Sequence, residues 1–352
     1  MSQSLETLWY THSPVPTGLG IAVQSGRLAE AFQPYGTRIQ SLRESSEQDV
    51  REAHYDHHLP NSVRHGGNIP AIWAYSSGVP THLLGLSWSD EVQLILTTID
   101  SGVKTIRDLK NRRFGLPKWA NVQIDFTRAQ ALRGLENALR LEGLSVSDVE
   151  LVDYPYGGTY SDERKHHKYG SEVNLDVGSV RKRNNELIGL LRGDIDAIFL
   201  KGAHAAHLAN EFGLQVVVDT GSHPDPLIRS NNGTPRALTV DSHLFENHFD
   251  ACTRIVDVVL RTEQWAWANP EETRRYLARE LNTSEYWVAA AYGEDAHRRL
   301  RTTLDRRSID ALQDFTDFLY RWNFIPRHFN VNDWVDFSVL EKVIGATSRL
   351  AV

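Results

Sequence analysis

Two short stretches of the chain hold residues whose types and spacing could do chemistry. The first is Tyr10-Thr11-His12-Ser13-Pro14-Val15-Pro16, between an apolar strand pattern at residues 8–10 and a helical pattern running to Leu28. A serine beside prolines at a helix start is a good N-cap, and plain capping accounts for Ser13 on this stretch alone. The same position gathers unsatisfied N–H groups at the positive end of a helix dipole, so it also reads as an anion site. The second stretch is His54-Tyr55-Asp56-His57-His58, then Arg64-His65-Gly66-Gly67-Asn68-Ile69-Pro70. Asn68 or a glycine can cap a helix over residues 70–76, and the two glycines let backbone amides approach a ligand closely. Arg64 adds a permanent planar cation suited to carboxylate, sulfinate, sulfonate or phosphate oxygens. An anion cradle and a glycine turn beside a surface arginine both fit this second stretch.

His54 with His57 or His58 has helical metal-ligand spacing, and Asp56 could add an oxygen. Pro60 follows at once and no H-E-x-x-H pattern is present. A single histidine in acid–base or ligand-orienting work is therefore preferred, and no metal is expected. Asp194 and Asp196 flank Ile195 at a helix-to-strand turn, where acidic residues serve turn chemistry. The chain has no P-loop, no G-x-G-x-x-G and no G-x-S-x-G, which removes the usual nucleotide and α/β-hydrolase readings. No cofactor is expected.

These residues must be positioned by ordered elements, and the composition supplies them. The chain has 352 residues with 41% hydrophobic and 9% aromatic side chains, which describes folded domains, two of them by length. Its 45 acidic and 38 basic residues, net −7, argue against nucleic acid as the main partner. The lone Cys252 excludes internal disulfides and thiol metal sites. No apolar run approaches the ~18 residues that cross a bilayer, so no membrane insertion is expected. Residues 1–11 show no signal-peptide pattern, so the expectation is a cytoplasmic protein.

Short apolar runs alternate with amphipathic stretches, the pattern of α/β architecture. Strands are expected at residues 83–86, 92–96, 112–116, 149–154, 196–200 and 214–219. Helices are expected at 127–141, 185–191, 203–212, 249–267 and 308–322, the last with a stripe of Ile309, Leu312, Phe315, Leu319 and Trp322. Residues 156–183, rich in Gly, Ser, Lys and His without a period, read as a long loop.

The runs Ile106-Arg107-Asp108-Leu109-Lys110-Asn111-Arg112-Arg113-Phe114-Gly115-Leu116 and Leu191-Arg192-Gly193-Asp194-Ile195-Asp196-Ala197 resemble the second domain of nitrate-, sulfonate- and taurine-type solute-binding proteins. The N-terminal third resembles the hydroxybiphenyl sulfinate desulfinases of dibenzothiophene desulfurisation, built on the same scaffold. Residues 10–16 match their Tyr-Ser-Asn-Cys-Pro-Val-Pro, with Ser13 on the catalytic cysteine. His54 stands ten residues before Arg64, as their active-site His precedes their Arg, and Gly66-Gly67-x-Ile69-Pro70 matches their Gly-Gly-x-Ile-Pro. Weaker similarity covers most of the chain.

The resemblance implies a two-lobed, periplasmic-binding-protein-like (type II) α/β fold with a hinge near residues 97–104 and 213–222 and a ligand cleft between lobes. Lobe I would comprise residues 1–98 and 220–352, and lobe II residues 99–219. It implies Ser13, His54 and Arg64 as catalytic residues. Arg64, Gly66, Gly67, Asn68, His12 and Trp88 would bind a small organic anion, with Trp9, Trp73 and Trp119 as further candidate apolar walls. The departure is Ser13 itself, because a hydroxyl needs an adjacent base where a thiol does not. A serine-using desulfinase-like hydrolase, a non-catalytic solute-binding protein and a Cys→Ser trap all fit this one sequence.

Overall fold

Eleven strands and the helices between them realise the alternating pattern in a computed structural model that describes residues 4–160 and 184–350. The long loop expected over 156–183 lies outside the described residues from 161 onward. The chain divides into two compact units, the first built from residues up to Ser89, Asn232–Glu285 and the chain from Glu294 on. The second takes Asp90–Asn231 with Tyr286–Gly293.

The first unit holds a six-stranded mixed sheet. Its strands are β1 (Thr7–His12), β2 (Arg38–Ser41), β3 (Ser62–Gly66), β4 (Thr81–Ser87), β10 (Arg236–Asp241) and β11 (Thr302–Thr303), ordered β11-β4-β10-β3-β1-β2. β1 lies between β2 and β3, parallel to both, while β10 runs antiparallel to β3 and β4. Helices α1 (Gly18–Gln24), α2 (Arg27–Phe32), α3 (Gln48–Asp56) and α4 (Asn68–Ser76) come from its N-terminal part.

The second unit holds β5 (Gln93–Thr97), β6 (Arg113–Trp119), β7 (Glu150–Tyr156), β8 (Ala197–Lys201) and β9 (Gln215–Asp219), ordered β7-β6-β8-β5-β9. Its helices include α5 (Phe126–Arg140), α6 (Asn185–Arg192) and α7 (Gly202–Glu211). Leu94 and Leu96 of β5 share an apolar cluster with Leu187, Leu190, Ile198 and Leu208, which fixes β5 in this sheet. Burial of that continuous apolar run is the main favourable term holding the strand there.

The later part of the first unit adds α8 (Ser242–Asn247), α9 (Phe249–Ala268), α10 (Pro270–Leu281), α12 (Arg306–Arg321) and α13 (Ser338–Leu350), while α11 (Glu285–Tyr292) passes into the second unit. On α12 the stripe Ile309, Leu312, Phe315 and Leu319 is buried, as its period requires. Trp322 falls one residue past the helix and is half-buried.

Candidate functional site

The Ser13 turn begins where β1 ends. Ser13 and Val15 both precede prolines, and a residue before proline is sterically pushed out of the helical region. The helix therefore starts only at Gly18, and Thr17 caps it by accepting from Gly20 N at 3.0 Å. The capping role expected for Ser13 falls to Thr17. Ser13 N instead donates to the His65 carbonyl at 3.4 Å, and Ser13 Oγ accepts from Gly67 N at 3.4 Å.

Both glycines are required by close approach. A Cβ on Gly66 would stand 2.3 Å from Ser13 Oγ, and one on Gly67 would stand 2.5 Å from Asn232 Oδ1. Gly67 is the N-cap of α4, whose first residue, Asn68, is buried and donates Nδ2 to the Pro235 carbonyl at 2.8 Å. Ile69 N donates to Asn232 Oδ1 at 3.3 Å, so Asn232 closes part of this helix start.

Arg64 sits behind the turn on β3, opposite Thr11 of β1 in register and only 3% exposed. Its Nε donates to the His54 carbonyl at 3.3 Å and its Nη1 to the Gly67 carbonyl at 2.6 Å. The guanidinium thus ties α3 to the glycine turn and fixes the Gly67–Asn68 peptide, next to the Gly66–Gly67 peptide whose N–H meets Ser13. His54 is buried on α3, and its Nδ1 bonds Thr11 Oγ1 at 2.6 Å.

His12 is served by a residue far along the chain. Its Nδ1 meets Glu280 Oε1 of α10 at 2.5 Å, both side chains 2% exposed, and Glu280 Oε2 accepts from Gln24 Nε2 at 2.8 Å. Its ring stacks with Tyr10 at 5.9 Å, so the two share one face of β1, and Thr11 serves the other. His65, next to His12 across the sheet, bonds Ser87 Oγ at 3.1 Å. Burial, then the charges of Arg236 and Arg64, pull its pKa down to about 3. Burial and then Arg64 likewise pull His57 well below the usual value. Arg236, fully buried on β10, donates Nη1 to the Ser89 carbonyl at 2.9 Å.

The histidine run disperses. His54 turns to Thr11, His57 is the left-handed C-cap of α3, and His58 pairs with Asp56 at 2.5 Å. Among the described residues no group of three His, Cys, Asp or Glu could hold a metal ion. Trp88, half-buried, donates its indole N–H to Ser308 Oγ at 2.7 Å. Trp9 packs on Leu42, Val50 and Ala53, and Trp119 stacks with Tyr156 inside the second unit. Sequence reasoning missed Thr11, Asn232, Arg236 and Glu280. Only Glu280 carried a local signal, as a carboxylate three residues beyond Leu277 on the buried side of α10.

No family model matches the chain, and no curated protein matches its sequence. Solved structures do. A cysteine-to-serine mutant of DSZB in complex with biphenyl-2-sulfinic acid is 23% identical, with a TM-score of 0.76 over 97% of this chain and 99% of that one. The desulfurization enzyme DSZB itself is 24% identical, with a TM-score of 0.74 over the same shares. The periplasmic aliphatic sulphonate binding protein SsuA from Escherichia coli is 16% identical, with a TM-score of 0.64 over 94% of this chain and 92% of that one. At these identities the likeness is one of fold. The chain therefore has the α/β, periplasmic-binding-protein-like fold shared by the desulfurization enzyme and the sulfonate-binding proteins.

Proposed function

We propose that the Ser13 turn binds a small organic anion of the sulfinate or sulfonate class and that the chain is a desulfinase-like hydrolase acting on an aromatic sulfinate. The observation that carries this reading is Ser13 Oγ meeting the Gly67 N–H at the start of α4, with Arg64 holding the Gly67 carbonyl from behind. A helix start with oriented N–H groups and a cation beside it favours an anion. Burial, followed by Arg64, holds His57 low, and burial, followed by Arg236 and Arg64, does the same for His65, so the positive charge here is that of the arginines and not of these imidazoles. In this reading Ser13 is nucleophile or proton donor, His54 a hydrogen-bond partner of the anion, and Arg64 with the amides of Gly66, Gly67 and Asn68 its cradle. Overall, aryl sulfinate and water give arene and bisulfite: a C–S bond breaks, a C–H bond forms, and water oxygen joins sulfur.

A second reading is a solute-binding protein for a sulfonate, sulfinate or carboxylate, favoured by a hydroxyl in the reacting position and by the fold shared with sulfonate binders. Incubation with biphenyl-2-sulfinate and assay of released sulfite separates the two. Turnover that vanishes in Ser13→Ala supports the hydrolase. Binding without turnover supports the solute-binding reading, and activity that appears only in Ser13→Cys supports a lapsed or trapped enzyme.

A further inference from the structure

Strand alternation sorts the residues around the Ser13 turn by face of the sheet. The β1–β3 register sets Thr11 beside Arg64 and His12 beside His65, so the two pairs lie on opposite faces. Gly66, two residues past Arg64, shares the Arg64 face, and a Cβ there would stand 2.3 Å from Ser13 Oγ. Ser13 Oγ therefore belongs to the face of Thr11 and Arg64, whereas His12 lies on the other with Glu280. His54 is the histidine bonded to a strand residue of the Ser13 face: it is 3% exposed, and its Nδ1 meets Thr11 Oγ1 at 2.6 Å.

Such a bond has two directions: the hydroxyl donates to a bare Nδ1, or an Nδ1–H donates to the hydroxyl oxygen. The surroundings of Thr11 decide between them. Thr11 is 2% exposed, and among the described residues its Oγ1 has one hydrogen-bond partner, His54 Nδ1. A threonine hydroxyl keeps its proton, so an Nδ1–H donor would leave a buried O–H without an acceptor, at the full desolvation cost of that group. With the hydroxyl as donor, only oxygen lone pairs go unused. We infer that Thr11 donates to Nδ1 and holds His54 as the Nε2–H tautomer, so that this imidazole meets the anion as a neutral hydrogen-bond donor and is not the base of Ser13. The inference deepens the anion-binding reading of the Ser13 turn and rests on it. A protonated Nε2 has no lone pair with which to accept a proton from Ser13, and holding an anion through it moves no proton. Thr11 acts through His54 and is a positioning residue. Arg64 anchors the same histidine from its backbone, donating Nε to the His54 carbonyl at 3.3 Å.

The test needs no turnover. Long-range proton–nitrogen NMR on the chain labelled in its histidine rings reads which nitrogen carries the proton, the His54 signals being those lost in His54→Gln. The unsubstituted chain at neutral pH is expected to show a proton on Nε2 and none on Nδ1. Thr11→Val keeps the shape of the side chain without its hydroxyl. It is expected to release the tautomer, moving the proton partly to Nδ1, and to weaken biphenyl-2-sulfinate binding in calorimetry about fivefold. Thr11→Ser restores both. A proton on Nδ1 of the unsubstituted chain, alone or together with one on Nε2, overturns the inference, and so does a Thr11→Val spectrum or affinity equal to that of the parent. If Thr11→Val fails to fold by circular dichroism, the spectrum of the unsubstituted chain decides alone. Absence of biphenyl-2-sulfinate binding by the unsubstituted chain sinks the anion reading instead, and the spectrum reports the tautomer whether or not the anion binds.

Discussion

The two units treat most of their charges differently. In the second, cations that largely reach solvent meet carboxylates, with Lys201 on Glu91, which also accepts from Tyr292, Arg113 on Asp196, and Lys118 and Arg128 on Asp153. Its buried Arg133 donates to the Ser230 and Leu227 carbonyls. In the first, Arg64 and Arg236 donate to the carbonyl oxygens of His54, Gly67 and Ser89, and their charge adds to burial in keeping protons off His65. A network of matched charges gains little from another anion. A turn whose cations are spent on peptide oxygens, beside histidines that refuse protons, gains a good deal. The contrast supports the proposal that the first unit receives the anion.

The sharpest way to break this comparison is to disturb one glycine in each unit. A Cβ on Gly221 would stand 1.8 Å from the Glu91 carbonyl oxygen, a backbone atom that cannot turn aside. Gly221→Ala is expected to cost at least about 3 kcal/mol in urea unfolding. Gly66→Ala meets chiefly the Ser13 side chain and should cost about 1–3 kcal/mol while removing binding of biphenyl-2-sulfinate in calorimetry. Equal destabilisation with intact binding would defeat the contrast.

A pH series sharpens it next. Burial pushes Glu263 of α9 up to about 7, with Thr302 N and Oγ1 donating to its carboxyl at 2.8 and 2.6 Å. A raised acid contributes its full stability below its unfolded value and loses it as pH rises through about 7. Glu263→Gln should therefore melt higher than the parent in mildly alkaline buffer, by up to about 3 kcal/mol, and converge with it in acid. The second unit answers in the opposite direction. Burial works against the Asp196 carboxylate, but the hydrogen bonds of Arg113 outweigh it and hold the group low, so its contribution is lost on acidification. Thermal melts that fail to separate at alkaline pH would remove the Glu263 assignment.

Arg64→Ala is expected to weaken biphenyl-2-sulfinate binding at least about tenfold, roughly 1.4 kcal/mol, whereas Arg113→Ala leaves it unchanged. Parallel titrations check both, and equal losses would erase the distinction between the units. The smallest effect belongs to a solvated pair such as Arg306 with Asp310, four residues on along α12 at 2.8 Å. Arg306→Ala should shift stability by less than about 0.5 kcal/mol and leave binding alone.

Local chemistry was legible in the sequence wherever it depended on near neighbours. The strands at 83–86 and 149–154 and the helix at 249–267 appear as β4, β7 and α9 because hydrophobic period and length decide such elements. Gly67 as a helix cap could be read the same way, whereas Asp196, expected to serve its turn, instead pairs with Arg113, 83 residues earlier. The prolines beside Ser13 suggest a helix start, but each also bars the residue before it from the helix, so the cap is Thr17 and not Ser13. Glu280 could be read as a carboxylate on the buried side of α10, but its partner was out of reach. Glu280 meets His12 across 268 residues, and no local pattern encodes a partner that only the packing of α10 supplies. The same holds for Asn232 at the start of α4 and for Thr11, whose bond to His54 spans 43 residues.

The return of the chain to the second unit at Tyr286–Gly293 sets a timetable. The strands β5–β9 have all left the ribosome before α11 exists, yet Tyr292 donates to Glu91, 201 residues behind it. At roughly 5–20 residues per second that carboxylate waits on the order of 10–40 s for its phenol. During translation the second unit is a sheet in which Glu91 lacks its phenol and Val92 N lacks the Ala291 carbonyl it donates to at 2.9 Å, and both bonds form only when much of the first unit has also been synthesised.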